Sequence, residues 1–391
     1  TTTPAPRALW TSPPINLPPP LVFTPSITPT TTTTTTTART TTTTTTPEPT
    51  TTTTVLPACR ESPTKVNFQN APCSGDLLFE ENFDGNRISD KWEVERRFGS
   101  VDPDYEFVIY LDHRENLKVR DGQLMIKPTI RQESFASSVT FNIEDCTDEA
   151  DPKACTRSKN IDHDISPPII SARVNTKRHF QFLYGRVEIR AKLPSGNYIF
   201  PQLFLEPAIK VYGDQLHSGQ MRMAFASGGP CNTHDLHQGV LLDATEPFRT
   251  PNLCVERLTN GDEWSSDFHN YTLVWTPEKI SLYVDDKPKC DIDPGNGFSE
   301  RMVRGQKYPG STKWRQRMNK MAPFDQEFYL TLGVGVGGIN DFHESTHCLL
   351  PWGTRSPRAM RQFWSKKNEW SPTWVEPNTS LLVDYVRVYA V

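Results

Sequence analysis

The sequence predicts an all-β protein built as an antiparallel β-sandwich, and three observations predict it. Short segments alternate apolar and polar residues with period two, Gly, Pro, Asn and Asp bound them, and stretches of 3.6-residue periodicity are scarce. Residues 77–83 open a strand, and residues 123–126 follow the turn Asp121-Gly122. Residues 184–191 alternate Val187, Ile189 and Ala191 with Arg186, Glu188 and Arg190, and residues 279–285 and 382–389 repeat the pattern. One short helix is expected at 357–367. The acidic stretch 131–168, with two cysteines and ending in Pro167-Pro168, reads as a long surface loop. So many strands over more than 300 residues suggest one sandwich domain, residues 58–391.

The 391-residue chain is 36 % hydrophobic, below the usual globular share. The poorest part is residues 1–57, about two thirds Thr and Pro, with the runs Thr30–Thr37 and Thr40–Thr46. Such a segment buries no apolar surface to offset its ordering entropy, and it reads as a disordered, stiff, O-glycosylated linker. A linker implies something before it, so a mature or truncated form with a further upstream domain is expected.

The net charge of −4, without a long basic block, argues against nucleic acid, and no apolar run is long enough for a transmembrane helix. Eight cysteines without a CxxC pair fit disulfides in an oxidising compartment, with Cys59–Cys73 and Cys146–Cys155 as natural short loops. The sequons at Asn270 and Asn378 agree with an extracellular, secreted glycoprotein.

Five blocks occur in order: Asn82-Phe83-Asp84 with Trp92; residues 184–196; Phe268-His269-Asn270-Tyr271 with Trp275-Thr276-Pro277; residues 323–338; and Val383-Asp384-Tyr385-Val386-Arg387-Val388-Tyr389. Together they resemble glycoside hydrolase family 16, whose laminarinases are jelly rolls of the concanavalin type. The resemblance spans residues 75–391. It implies a Glu-x-Asp-x-x-Glu strand, because a retaining glycosidase needs two carboxyl groups about 5–5.5 Å apart. Residues i and i+2 share a strand face, and a third at i+5 reaches it only through a bulge.

The matching strand here is residues 218–226, after 200–207, which resembles the family's Trp-Pro-Ala-x-Trp strand. Gln220 stands at the nucleophile position, Arg222 at the helper Asp and Phe225 at the acid/base. Gln forms no stable glycosyl ester and Phe transfers no proton, so no catalytic residue is expected. An outward-facing Gln220 and Arg222 suit sugar hydroxyls, and Phe225 suits stacking on a pyranose. The ligand-binding candidates are Phe200, Phe204, Gln220, Arg222, Phe225, Trp264 and His269. Core packing is the competing role for Phe204, and a hydrogen-bonded structural role for His269.

This degenerate pattern looks like the insect β-1,3-glucan recognition proteins, also called Gram-negative bacteria-binding proteins. The resemblance implies a non-catalytic pattern-recognition protein that binds microbial β-1,3-glucan, with peptidoglycan or lipopolysaccharide as further polysaccharide ligands. It also implies serine proteases of Toll or prophenoloxidase cascades, or other recognition proteins, as partners. Two alternatives are an active endo-β-1,3-glucanase using displaced carboxylates such as Glu206 or Asp214, and a protein-binding scaffold.

Two motifs read as decoys. His343-Glu344-Ser345-Thr346-His347 matches a zinc pattern that needs a helix, but glycines precede it and Pro351 follows. Gly333-x-Gly335-x-x-Gly338 matches a dinucleotide fingerprint but lacks the helix and acidic residue that binding requires. No metal and no cofactor are expected. Of the aromatics that look exposed, Trp264, Trp314, Trp352, Trp364, Trp370 and Trp374, each is more often a core or loop anchor than a sugar platform.

Overall fold

The computed structural model describes residues 59–70, 73–131, 141–148, 150–157, 165–228, 235–258, 262–342 and 349–391. The Thr/Pro segment, the His343–His347 motif, Cys231 and Cys348 lie outside the described residues. The strands that matter here are β1 (Leu77–Glu81), β2 (Leu117–Arg120), β3 (Gln123–Ile126), β4 (Arg173–Asn175), β5 (Gly185–Lys192), β6 (Ile199–Pro207) and β7 (Gln220–Phe225). They continue with β8 (Asp235–Leu241), β9 (Leu253–Arg257), β10 (His269–Trp275), β11 (Ile280–Val284), β12 (Lys287–Ile292), β13 (Phe328–Val336) and β14 (Leu381–Tyr389).

One sheet runs β9-β8-β7-β6-β13, with β4 also paired to β13. The other runs β12-β11-β10-β5-β14-β3-β2, with β1 also paired to β14. Every pair named is antiparallel. The chain is therefore an all-β, antiparallel sandwich.

Period-two alternation explains which faces meet. In β5, Val187, Ile189 and Ala191 are fully buried, while Arg186 is exposed and Arg190 half-buried. In the first sheet, Leu203, Leu205, Met221, Met223, Leu330 and Leu332 point the same way and share one cluster with Tyr271, Leu273 and Val386 of the second. Trp275 anchors that cluster. Its ring meets Phe182, Tyr184 and Phe328 edge-on at 5.2–5.8 Å, and its indole N–H donates to the Phe324 carbonyl at 3.2 Å.

The expected strands all form, within one or two residues at each end. The helix expected at 357–367 is α2 (Ala359–Ser365); α1 (Ser311–Gln316), built around buried Trp314, had no periodic signal. The described part of the 131–168 insert holds a strand pair, 141–142 with 156–157, and a short helix, Pro152–Cys155. Disulfides join Cys59–Cys73, Cys146–Cys155 and Cys254–Cys290. Among the described residues no helix is long and apolar enough to cross a membrane. The three disulfides fit an oxidising compartment.

The glycines of the dinucleotide-like motif have a packing role. Gly333 and Gly335 lie in β13, where an added Cβ would sit 2.4 Å from Gln202 Oε1 and 2.2 Å from the Phe200 ring. They clear space for the two side chains that β6 presents beside them.

Candidate functional site

The face of the first sheet opposite Leu203, Leu205, Met221 and Met223 carries Phe200, Gln202, Phe204 and Glu206 from β6 and Gln220 and Arg222 from β7. Cross-strand register pairs Phe204 with Arg222 on one side and with Thr331 on the other. The pairing of β7 with β8 shifts between Arg222 and Phe225, the bulge that the i+5 position requires. Phe225 thereby reaches the same face. The Arg222 guanidinium lies 4.9 Å from the Phe225 ring centre and 4.8 Å from that of Phe204. Opposite Arg222, Gly239 adopts φ +146°, and a Cβ there would meet the Asn252 carbonyl at 2.2 Å. Only glycine permits that approach.

The expectation of an outward-facing Gln220 and Arg222 is corrected. They are 4 % and 2 % exposed, and Phe200, Phe204 and Phe225 are equally buried. The physical reason is a chain of charge-assisted hydrogen bonds that covers this face. Thr331 donates to Glu206 at 2.7 Å, Gln220 Nε2 donates to Glu206 at 3.4 Å, and Arg222 Nε donates to Gln220 Oε1 at 2.9 Å. Arg222 then grips Asp341 with two nitrogens, at 2.8 and 3.4 Å. Arg249 Nη2 donates to Asp341 at 2.5 Å and to Asp104 at 2.6 Å.

Arg173 pairs with Glu206 and with Glu95, and Arg97 donates to Glu95 at 2.8 Å. Sequence reasoning missed Asp104, Glu95, Arg97, Arg173, Arg249 and Asp341. Only Asp341 carried a signal, its place just after the turn-forming Gly337-Gly338.

Electrostatics sort the carboxylates. Burial pushes Glu206 up, but the Arg173 guanidinium and the Thr331 hydroxyl outweigh it and hold the carboxyl at about 2. Burial likewise opposes ionisation of Asp341, yet Arg222 and Arg249 keep it well below the usual carboxylate range. Asp104, beside the Asp341 charge, is raised by burial despite Arg249.

Glu106 differs. Burial lifts it to about 7, against the opposing pull of Arg173 and Arg97. Gln202 Nε2 donates to it at 2.5 Å and to the Tyr110 hydroxyl at 3.0 Å. Glu106 thus binds its proton more tightly folded than unfolded. Its ionisation costs stability as pH rises from its ordinary 4.5 through about 7. Glu106→Gln removes that cost: between pH 5 and 8 the native chain should lose up to about 3 kcal/mol relative to the variant. Urea unfolding at both pH values measures the difference.

The remaining candidates lie elsewhere. His269 and Trp264 belong to the β10 end of the second sheet, with Trp264 edge-on to His269 at 5.3 Å and only 3 % exposed. His269 Nδ1 meets Asp285 at 2.7 Å. Trp314, Trp352 and Trp370 are buried anchors; Trp364 and Trp374 are half-buried on the 359–374 cap. Asn378 is exposed. Asn270 is half-buried within β10, its Oδ1 enclosed without a hydrogen-bond partner. Of the alternative carboxylates, Asp214 is an exposed surface partner of Lys210.

The profile of glycosyl hydrolases family 16 matches residues 248–314. Laminarinases from Rhodothermus marinus and Thermotoga maritima superpose with a TM-score of 0.51 each, at 23 % and 20 % identity. Each covers 81 % of this chain, which spans 97 % and 99 % of theirs. These likenesses show the jelly-roll fold.

Curated relatives are more similar in sequence. "Beta-1,3-glucan-binding protein 1" of Galleria mellonella is 37 % identical over 85 % of this chain and 67 % of its own length. The protein of the same name from Manduca sexta is 37 % identical over 85 % and 68 %. "Gram-negative bacteria-binding protein 3" of Drosophila melanogaster is 36 % identical over 85 % and 68 %. Identity of this level over two thirds of those proteins places the chain in the family of β-1,3-glucan-binding and Gram-negative bacteria-binding proteins.

Proposed function

We propose that the chain is a secreted, non-catalytic recognition protein for microbial β-1,3-glucan or a related cell-wall polysaccharide. It would pass the signal to serine proteases or to other recognition proteins. The observation that carries the reading is β7 itself. Its sequence Gln-Met-Arg-Met-Ala-Phe contains no carboxylate, and its one cation is bound to Asp341. A retaining glycosidase needs a nucleophile and a proton donor on this face. Gln220 and Phe225 supply neither. Nearby Glu206, held at about 2 by Arg173, carries no proton to give at neutral pH. The names of the relatives, glucan-binding and bacteria-binding, support the choice of ligand.

Co-sedimentation with insoluble β-1,3-glucan tests the reading. The full chain should pellet with the β-1,3-glucan and be released by soluble laminarin, but should stay in solution with an insoluble α-glucan. Equal retention on both polymers, or on neither, would refute it.

A further inference from the structure

We propose that residues 339–342 form an internal plug, so that glucan binding on the β6–β7 face and the Arg222–Asp341 ion pair exclude one another. The inference rests on the recognition reading above and adds what gates the site. The plug begins where β13 ends. Gly337 and Gly338 adopt φ +63° and +112°, and a Cβ on Gly338 would sit 2.9 Å from the Asp104 carbonyl. This turn carries the chain across the face instead of away from it.

Two side chains then cover what a sugar would use. Asp341 occupies the Arg222 guanidinium, which lies against the rings of Phe204 and Phe225. Phe342 packs on Phe200 and Tyr198 with centroid separations of 5.9 Å each. A guanidinium between aromatic rings is a floor suited to a pyranose, with stacking faces and hydroxyl-directed N–H groups. The carboxylate and phenyl ring of the plug imitate that ligand: oxygens on the guanidinium, a ring on the aromatic wall.

The plug is one chain thick. Ile339, Asn340 and Asp341 are each partly open to solvent, while the floor beneath is closed. Its backbone is held by the Ile339 amide on the Asp104 carbonyl at 3.0 Å, and its side chains by Asn340 on the Pro103 carbonyl, Asp341 on Arg222 and Arg249, and Phe342 on Trp352 at 5.7 Å. Residues 339–342 belong to no strand, so moving them breaks no ladder hydrogen bond. A ligand that replaces both the carboxylate and the ring shifts the population toward the open form.

The test uses the full chain, laminarihexaose as the probe, and two variants, Asp341→Asn and Phe342→Ala. Circular dichroism and thermal melting establish that each is folded, and Phe342→Ala leaves all the ion pairs in place should Asp341→Asn not fold. The proposal expects Kd to fall tenfold or more in the folded variants. It also expects amide exchange at residues 337–342 to rise when the hexasaccharide is added to the native chain. Native binding with an unchanged or weaker Kd in the variants overturns the plug and leaves the recognition reading standing. Binding by the variants but not by the native chain supports the plug and overturns recognition by the native domain. Binding by none of the three overturns both.

Discussion

Arg222→Met lowers the stability of the folded chain by about 3 kcal/mol, because it strips one partner from a buried, hydrogen-bonded charge cluster. Asp341 keeps Arg249 but loses two bonds, at 2.8 and 3.4 Å, and Gln220 Oε1 loses its donor. The double variant Arg222→Met/Asp341→Leu should recover a large part of that loss, since it removes both charges together and leaves Arg249 paired with Asp104. A double-mutant cycle in urea measures the coupling, expected at about 1–3 kcal/mol. Strict additivity would mean that the pair contributes nothing beyond its separate side chains.

Arg173→Met has a comparable effect for a different reason. The guanidinium is 6 % exposed and serves two carboxylates, Glu95 and Glu206. Its removal should cost about 3–5 kcal/mol at neutral pH. The pH dependence separates this from a simple packing defect. In the native chain Glu206 is held at about 2, so its contribution is complete above its ordinary 4.5 and disappears as pH falls through that interval. Without Arg173, burial raises the carboxyl instead, so acidification relieves the variant. The deficit of Arg173→Met relative to the native chain should therefore shrink as pH falls from 7 toward 4, as a series of denaturant melts would record.

The sandwich was legible because its strands are amphipathic with period two. Val187, Ile189 and Ala191 in β5 announce a half-buried strand whatever surrounds them. The site strand was legible for a related reason: the spacing from Gln220 to Phe225 demands a bulge, and the pairing of β7 with β8 contains one. The burial of that strand was not legible. The groups that close it, Asp341 and Arg249, lie 119 and 27 positions from Arg222, and only the turn at Gly337-Gly338 hints at the first of them.

Polarity misled in the same way. An Arg and a Gln in alternation suggest a solvated face, yet here the face is internal, with Arg222 paired to Asp341 and Glu206 to Arg173. Tryptophan was ambiguous as well. Trp370 is buried with Phe363 of α2 stacked on it at 4.5 Å, a contact that leaves little trace in composition.

Release of reducing ends from laminarin by the purified full chain, followed over the same concentrations at which binding is measured, tests the central claim most directly. Bound glucan with no release above a protein-free control is the predicted result. Steady release that Gln220→Ala, or Glu206→Gln, abolishes would show a working hydrolase and contradict the account.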